Sequence, residues 1–433
     1  MTIAGLTNEE GPERRATEGG DAPVDQSALD GFRYVARQPI LDIRGHVHGY
    51  ELLFRAGPAS LAFSDDGDAA TRTVLDSSVV FGLERLTGGL PMFVNCTKEA
   101  LMGGLVKVLP PEQTVLELLE TLEPDAALVK TCKDLKRRGY RLALDDFVWS
   151  PAWQPLLDLA DYIKVDLTLT TPEQRGDLKR RVGRRPIKLL MERVETPADL
   201  ELAKKEGFAL FQGYFFCRPV LMENRDIPAN RLVQLEILAA TLEFPLDIKR
   251  ISGLVKRDPS LTYRLLRMVN SPLYATRSVV TSIREALLLI GDEMFRRVTM
   301  LATACELKGN QPSELLRMAF LRGRFCELAA AITGQDATEQ YLLGILSLLP
   351  AMLGVPMESV AKALPLRNDV REALLGRPNV ERAVLELLIS HESANWGRCD
   401  DLAGAAGLQV ESLPQLYSES VQWAETTMSA VGA

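Results

Sequence analysis

The sequence predicts an α/β domain followed by an all-α domain, and three observations carry that expectation. Short β-rich runs alternate with amphipathic helical stretches from Phe32 to about Pro219. The β-rich runs then stop, and helix start signals continue towards the C-terminus. Strand–helix alternation of this kind belongs to a parallel α/β sheet or barrel.

In the first half the candidate strands are PMFVN ending at Asn95, TVLEL at Leu118, RLALDD at Asp146, YIKVD at Asp166, IKLLME at Glu192 and ALFQG at Gly213. Between them, Thr171 and Thr196 each stand as an N-cap before a proline at the first helical position, and Gly207 stops the second of these helices. Residues 1–30 are rich in Gly, Glu, Asp and Thr and poor in large apolar residues, so a disordered tail is expected. A polar linker follows at Asn224–Asn230. In the second half Asp258-Pro starts a helix, and Ser282-Ile-Arg-Glu forms a capping box leading into an apolar run that Gly291 closes. The expected division is therefore a tail at 1–30, an α/β domain at 31–223 and an all-α domain at 224–433.

Composition removes several function classes. A hydrophobic content of 46% with 25% charged residues is that of a globular chain, not a disordered one. A formal net charge of −8 argues against a nucleic-acid binder, which needs a basic face. Three histidines are too few for a histidine-built zinc site, so a metal would be held mainly by carboxylates. The six cysteines contain no C-x-x-C pair, which fits a reducing compartment. No signal peptide is visible. The apolar stretch Tyr341–Met357 is interrupted by Gly344, Pro350, Gly354 and Pro356 and is shorter than the ~20 residues of a span, so it reads as a buried helix and turn. A cytoplasmic protein without a membrane span is expected.

The strand ends carry the chemistry. Asn95, Glu117, Asp145 with Asp146, Lys164 with Asp166, Glu192 and Gln212 each lie at or near the C-terminal end of a candidate strand. Alternation puts Lys164 and Asp166 on one face, and an α/β barrel gathers its site at these ends. Converging carboxylates repel one another unless a cation neutralises them, and all-oxygen ligands suit Mg²⁺ or Mn²⁺. Two such ions form a phosphodiester-cleaving site. Any one of these residues could be a loop residue or a helix cap. Their recurrence at six strands argues against that for the set.

The same residues carry a resemblance. VARQPILDIRGHVHGYELLFR, from Val35 to Arg55, resembles the opening of EAL domains, the cyclic di-GMP phosphodiesterases of bacterial second-messenger signalling, with Gln38, Glu51 and Arg55 matching. Further matches are Asn95 in FVNC, Glu117 and Glu120 in LELLE, and Asp145-Asp146-Phe147. Lys164-x-Asp166, Glu192-x-Val-Glu195 and Gln212-Gly-Tyr-x-Phe216 complete the set. The resemblance implies a TIM-like (β/α) barrel. It implies one metal on Glu51, Asn95, Glu117 and Asp145, and a second on Asp145, Asp146 and Glu192. Lys164 would orient the attacking water, which with Glu51 and Glu192 makes the catalytic set. Gln38, Arg55, Asp166 and Gln212 would contact the dinucleotide, and Glu120 and Glu195 would support the loop after Asp146. The implied reaction opens cyclic di-GMP to linear pGpG with Mg²⁺ or Mn²⁺.

Two departures stand out. The signature alanine is Leu52, and the family's Asp-Asp-Phe-Gly-x-Gly loop reads DDFVWS, with Val148 and Ser150 in place of both glycines. Val and Ser lack the backbone freedom of glycine, so a catalytically weak or silent receptor, or an interaction scaffold, stands as the alternative.

Pro245–Gly291 resembles the HDOD domain, a relative of HD-type phosphohydrolases, through Asp258-Pro-x-Leu261 and Asn270-Ser-Pro-x-Tyr274. Ser347 and Leu348 stand where His and Asp would ligate metal in the active relatives, so binding or regulation is expected of this half rather than catalysis. A protein partner on the helical domain is expected, and a homodimer is one arrangement open to the chain. His391 reads as a structural or surface residue.

Overall fold

The computed structural model describes residues 34–55, 86–217, 231–243, 245–274, 279–309 and 311–431. The expected tail and linker lie outside the described residues, as does the side chain of Arg55.

Eight strands close into a barrel in sequence order: β1 (Tyr34–Asp42), β2 (Val47–Arg55), β3 (Met92–Cys96), β4 (Thr114–Leu118), β5 (Arg141–Leu144), β6 (Tyr162–Asp166), β7 (Lys188–Glu192) and β8 (Leu210–Gln212). From β2 to β8 neighbouring strands are parallel, while β1 runs antiparallel to both β2 and β8. β5 ends at Leu144, so Asp145 and Asp146 lie just beyond the strand rather than within it.

Both threonine caps form as expected. Thr171 closes a capping box with Gln174, and Thr196 closes one with Asp199. Each satisfies two N–H groups at a helix start that would otherwise lack partners.

Alternation along the strands divides the barrel interior into two levels. Ile40, Phe93, Val115, Ala143, Tyr162, Leu190 and Leu210 form a separate buried cluster that plugs the floor. Two residues from each of several of these come Gln38, Asn95, Glu117, Asp145, Lys164, Glu192 and Gln212, so one pleat repeat separates an apolar floor from a polar mouth.

The second half is helical, from Leu232–Leu242 to Leu413–Val431. Asp258 caps the helix Pro259–Val269 as expected. Gly291 differs from expectation. It breaks the helical geometry at φ 75°, but a new helical run starts at once and continues to Lys308. Glycine marks the break, and the apolar face beyond it restarts the helix. The stretch from Tyr341 folds as short buried helices, Ala337–Leu346 and Leu349–Leu353, followed by Met357–Ala363 at a bend of 117°. Among the described residues no single helix is long and apolar enough to cross a membrane.

The two halves share one hydrophobic cluster, running from Val35 on β1 to Val431 in the last helix. β1 and β2 form a hairpin, so no helix connects them to cover their outer face. The helices Val380–Glu392 and Leu413–Val431 pack against β1 instead. Polar contacts cross the seam as well. Arg37 reaches Glu425 at 3.1 Å, the Tyr50 hydroxyl donates to Glu314 at 3.0 Å, and the Cys217 thiol lies 3.5 Å from Met318 Sδ.

Candidate active site

Lys164 is the hub of the barrel mouth. Its Nζ lies 3.2 Å from Glu51, 2.8 Å from Glu117, 2.7 Å from Asp145 and 3.0 Å from Glu192. The chain thus collects carboxylates from β2, β4, β7 and the end of β5 around one buried ammonium on β6. Amides complete the ring. Asn95 Nδ2 donates to Glu51 at 3.0 Å, and Gln212 Nε2 donates to Glu51 at 2.5 Å and to Gln38 Oε1 at 2.7 Å.

Gly213 fixes the approach of Gln212. A Cβ at Gly213 would lie 2.0 Å from the Val194 carbonyl oxygen, and the residue holds φ 146°. Only glycine fits there.

Four carboxylates against one ammonium leave a surplus of negative charge, and the protonation equilibria register it. Burial, then the neighbouring Glu51, pushes Glu117 well above the usual carboxylate range. Burial and the nearby Asp145 and Glu51 push Glu192 up to about 8, despite Lys164. Burial alone would raise Glu51 too, but Lys164 and the donors Gln212 and Asn95 hold it below its ordinary value. Burial would discharge Lys164, yet the carboxylates outweigh it and hold the ammonium charged.

Asn95 Oδ1 and Glu117 Oε2 are buried and accept no hydrogen bond. Buried oxygens without donors are costly. Oxygen donors in a surplus of negative charge are of the kind that suits a hard divalent cation. Among the described residues no three acidic, cysteine or histidine side chains already surround a single empty point. The carboxylates close on the ammonium.

The remaining expected residues are distributed around this core. Asp146 is half-buried at φ 41°, and burial followed by the charges of Asp145 and Asp166 raises its carboxyl. Asp166 is buried and accepts from Thr168 N and Oγ1 at 2.6 Å and from Leu169 N at 3.1 Å. Glu120 and Glu195 have exposed side chains. Arg193 is a mouth residue that the strand-end pattern does not single out. Its Nε lies 2.8 Å from Asp166 Oδ2, and its backbone takes φ 53°. An arginine directly after the strand-end Glu192 was the available signal.

The Asp-Asp-Phe segment is tied down on both sides. Phe147 N donates to the Lys164 carbonyl at 3.0 Å, and the Phe147 ring meets Trp153 edge-on with centroids 5.8 Å apart. Trp149 lies under the Arg181 guanidinium at 3.4 Å. Neither Val148 nor Ser150 takes a positive φ, so the backbone follows a path open to ordinary residues.

In the helical half Ser347 donates to the Gly344 carbonyl at 2.7 Å and accepts from Arg322 Nη1 at 3.3 Å. Arg322 pairs with Glu392 at 2.7 Å, both of them buried. His391 is fully buried against Trp396 and Tyr417, so it lies in this core and not at the surface.

The barrel, with its acidic and amide-bearing mouth, is of the EAL class. The EAL domain family matches residues 105–219 and the HDOD domain family matches residues 227–359. The chain is 34% identical over 407 residues to the Bacillus subtilis protein YuxH, covering 92% of this chain and 99% of that one. It is 34% identical over 402 residues to the Vibrio cholerae cyclic di-GMP phosphodiesterase CdgJ, covering 90% and 92%. Among solved structures, the Klebsiella pneumoniae BlrP1 complex with calcium and cyclic di-GMP is 26% identical with a TM-score of 0.35, over 43% of this chain and 55% of that one. The chain belongs to the family of proteins in which an EAL domain is followed by an HDOD domain. Gln38, Glu51 and Asn95 precede the matched EAL range, and the barrel itself brings them to the same mouth.

Proposed function

We propose that the chain is a divalent-metal-dependent phosphodiesterase that opens cyclic di-GMP to pGpG, with a catalytic barrel at 31–223 and a regulatory helical domain at 224–433. The observation that carries this reading is the convergence of Glu51, Glu117, Asp145 and Glu192 on Lys164, with unpartnered oxygens on Asn95 and Glu117 beside them. The 34% identity to a relative named as a cyclic di-GMP phosphodiesterase supports the substrate.

Glu51, Asn95, Glu117 and Asp145 would hold one Mg²⁺ or Mn²⁺, and Asp145, Asp146 and Glu192 the second. Such cations, when bound, supply the charge that activates water and offsets the negative charge gathering on phosphoryl oxygens. Lys164 orients the attacking water. Gln38, Arg55, Asp166 and Gln212 hold the dinucleotide. Water adds to one phosphorus, the bond to the 3′ oxygen breaks, and that oxygen leaves with a proton. The helical domain would carry a protein partner.

One observation favours slow turnover. Phe147, Trp149 and Trp153 pin the segment after Asp146, and a displacement of about 1 Å at a reacting group can cost ~100-fold in rate. A receptor with little turnover is therefore the second reading. Incubation of purified protein with cyclic di-GMP and Mg²⁺ or Mn²⁺, followed by chromatography of the products, separates the two. Linear pGpG is expected. Binding in the presence of Ca²⁺ without any product would support the receptor, and no binding at all would reject both.

A further inference from the structure

Two strands carry site residues on one face and contacts to the helical domain on the other. On β2, Glu51 faces Lys164 inside the barrel while its neighbour Tyr50 faces outward and donates to Glu314 at 3.0 Å. On β1, Gln38 accepts from Gln212 inside, while its neighbour Arg37 faces outward and pairs with Glu425 at 3.1 Å. The strands are in register here, with Gln38 opposite Glu51 and Pro39 opposite Tyr50. At the end of β8 Gln212 is inside, and in the turn that follows Cys217 touches Met318.

The outer contacts of β1 and β2 form one charged cluster around a buried centre. The Arg37 guanidinium lies over the Tyr50 ring at 4.4 Å from its centroid. Arg317 pairs with Glu314 and, at 3.0 Å, with Glu425. Tyr50 is 1% exposed, Glu314 2% and Arg37 5%. Buried ionic groups tolerate little displacement, because losing one partner strands the other without water. The cluster therefore fixes the height of β2 against the helix Ser313–Thr333. A shift of that strand along its axis would carry Glu51 with it.

We propose that Glu314, acting through the Tyr50 hydroxyl, is a positioning residue for Glu51, so that the helical domain sets the geometry of the barrel mouth. This deepens the phosphodiesterase reading and rests on it for its catalytic readout. A purely structural contact would alter stability alone. A positioning contact also alters the mouth, where Glu51 meets the Lys164 ammonium.

The test uses the full chain. Tyr50→Phe keeps the ring under Arg37 and removes only the donor, so the fold is retained. Steady-state kinetics should show kcat lowered about 10-fold or more, by a larger factor than any rise in KM, since small displacements at reacting groups weigh on rate. Glu314→Gln keeps an acceptor for Tyr50 and should fall between wild type and Tyr50→Phe. The double variant should be no slower than Tyr50→Phe alone, because one hydrogen bond carries both effects. Independently of turnover, the ¹⁵N resonance of Lys164 Nζ should move in Tyr50→Phe as Glu51 shifts. A lower melting temperature with kcat and the Lys164 resonance both unchanged would overturn the proposal. If wild type yields no pGpG, the functional reading fails, and the Lys164 resonance still decides whether Glu314 positions the mouth.

Discussion

Arg193 and Asp166, at the ends of the neighbouring strands β7 and β6, are joined at the barrel rim by an Nε–Oδ2 contact of 2.8 Å, which Arg193 makes from a backbone φ of 53°. A non-glycine residue in this region costs roughly 1–2 kcal/mol. Arg193→Gly would relieve that strain and lose an ion pair of about the same worth, so the melting temperature should stay within a few degrees. Cyclic di-GMP affinity should fall by about tenfold, because Arg193 is a cation at the rim where phosphates would enter. Calorimetry with Ca²⁺ checks this. Unchanged affinity would remove Arg193 from the substrate contacts.

Lys164→Met should destabilise the chain by about 3–5 kcal/mol in EDTA, the usual cost of removing one partner from a buried ionic cluster. Four carboxylates would lose their shared ammonium. Added Mn²⁺ should then raise the melting temperature of the variant more than that of wild type. Equal shifts in the two would show that metal and ammonium do not answer the same charge surplus.

Glu51→Ala should abolish pGpG formation and leave the circular dichroism spectrum unaltered. It would also lower Mn²⁺ affinity, because Asn95 and Gln212 lose the carboxylate they orient. Full turnover in this variant would sink the assignment of Glu51 as a metal ligand.

The double substitution Val148→Gly with Ser150→Gly should raise kcat more than it changes affinity. It loosens the span between Phe147, held on β6, and the turn at Pro151–Trp153. A parallel measurement on Trp149→Ala removes the stacking on Arg181. If neither variant turns over faster than wild type, the pinned segment does not limit the rate.

His391 gives a pH dependence of stability. Burial lowers its folded pKa to about 3, against ~6.5 in an unfolded chain. Below ~6.5 this residue therefore binds more protons in the unfolded chain than in the folded one, so its contribution to stability is complete above that pH and falls as the pH drops towards 3. By pH ~4.5 the loss is roughly 2–3 kcal/mol. Thermal melts of wild type and His391→Phe across pH 4.5–7.5 should differ by this slope, because Glu192 and Glu117 act in the opposite sense over the same window in both proteins. An identical slope in the variant would assign the acid sensitivity elsewhere.

Much of the mouth was legible in the sequence because strand periodicity is local. Asn95, Glu117, Lys164, Glu192 and Gln212 end β-rich runs, and the pleat alone puts them on the inner face above the apolar floor. The capping boxes at Thr171 and Thr196 were legible for the same reason. The hub role of Lys164 was not, because it depends on where four other strands end in space. The Gly291 break, followed at once by more helix, depends on packing beyond the glycine. The seam between Tyr50 and Glu314 joins residues 264 positions apart, and no local pattern marks such a pair.

The shared apolar cluster between barrel and helices bears on heredity as much as on stability. Modules tethered by a loose string can be shuffled between genes, each keeping its own fold. Here the outer wall of β1 is finished by helices encoded more than 300 residues downstream. Substituting a foreign helical module would leave Arg37 and Tyr50 facing water, with no matching acidic partners. The two halves are thus bound to change together, and a substitution at Glu314 or Glu425 calls for an answering one at Tyr50 or Arg37.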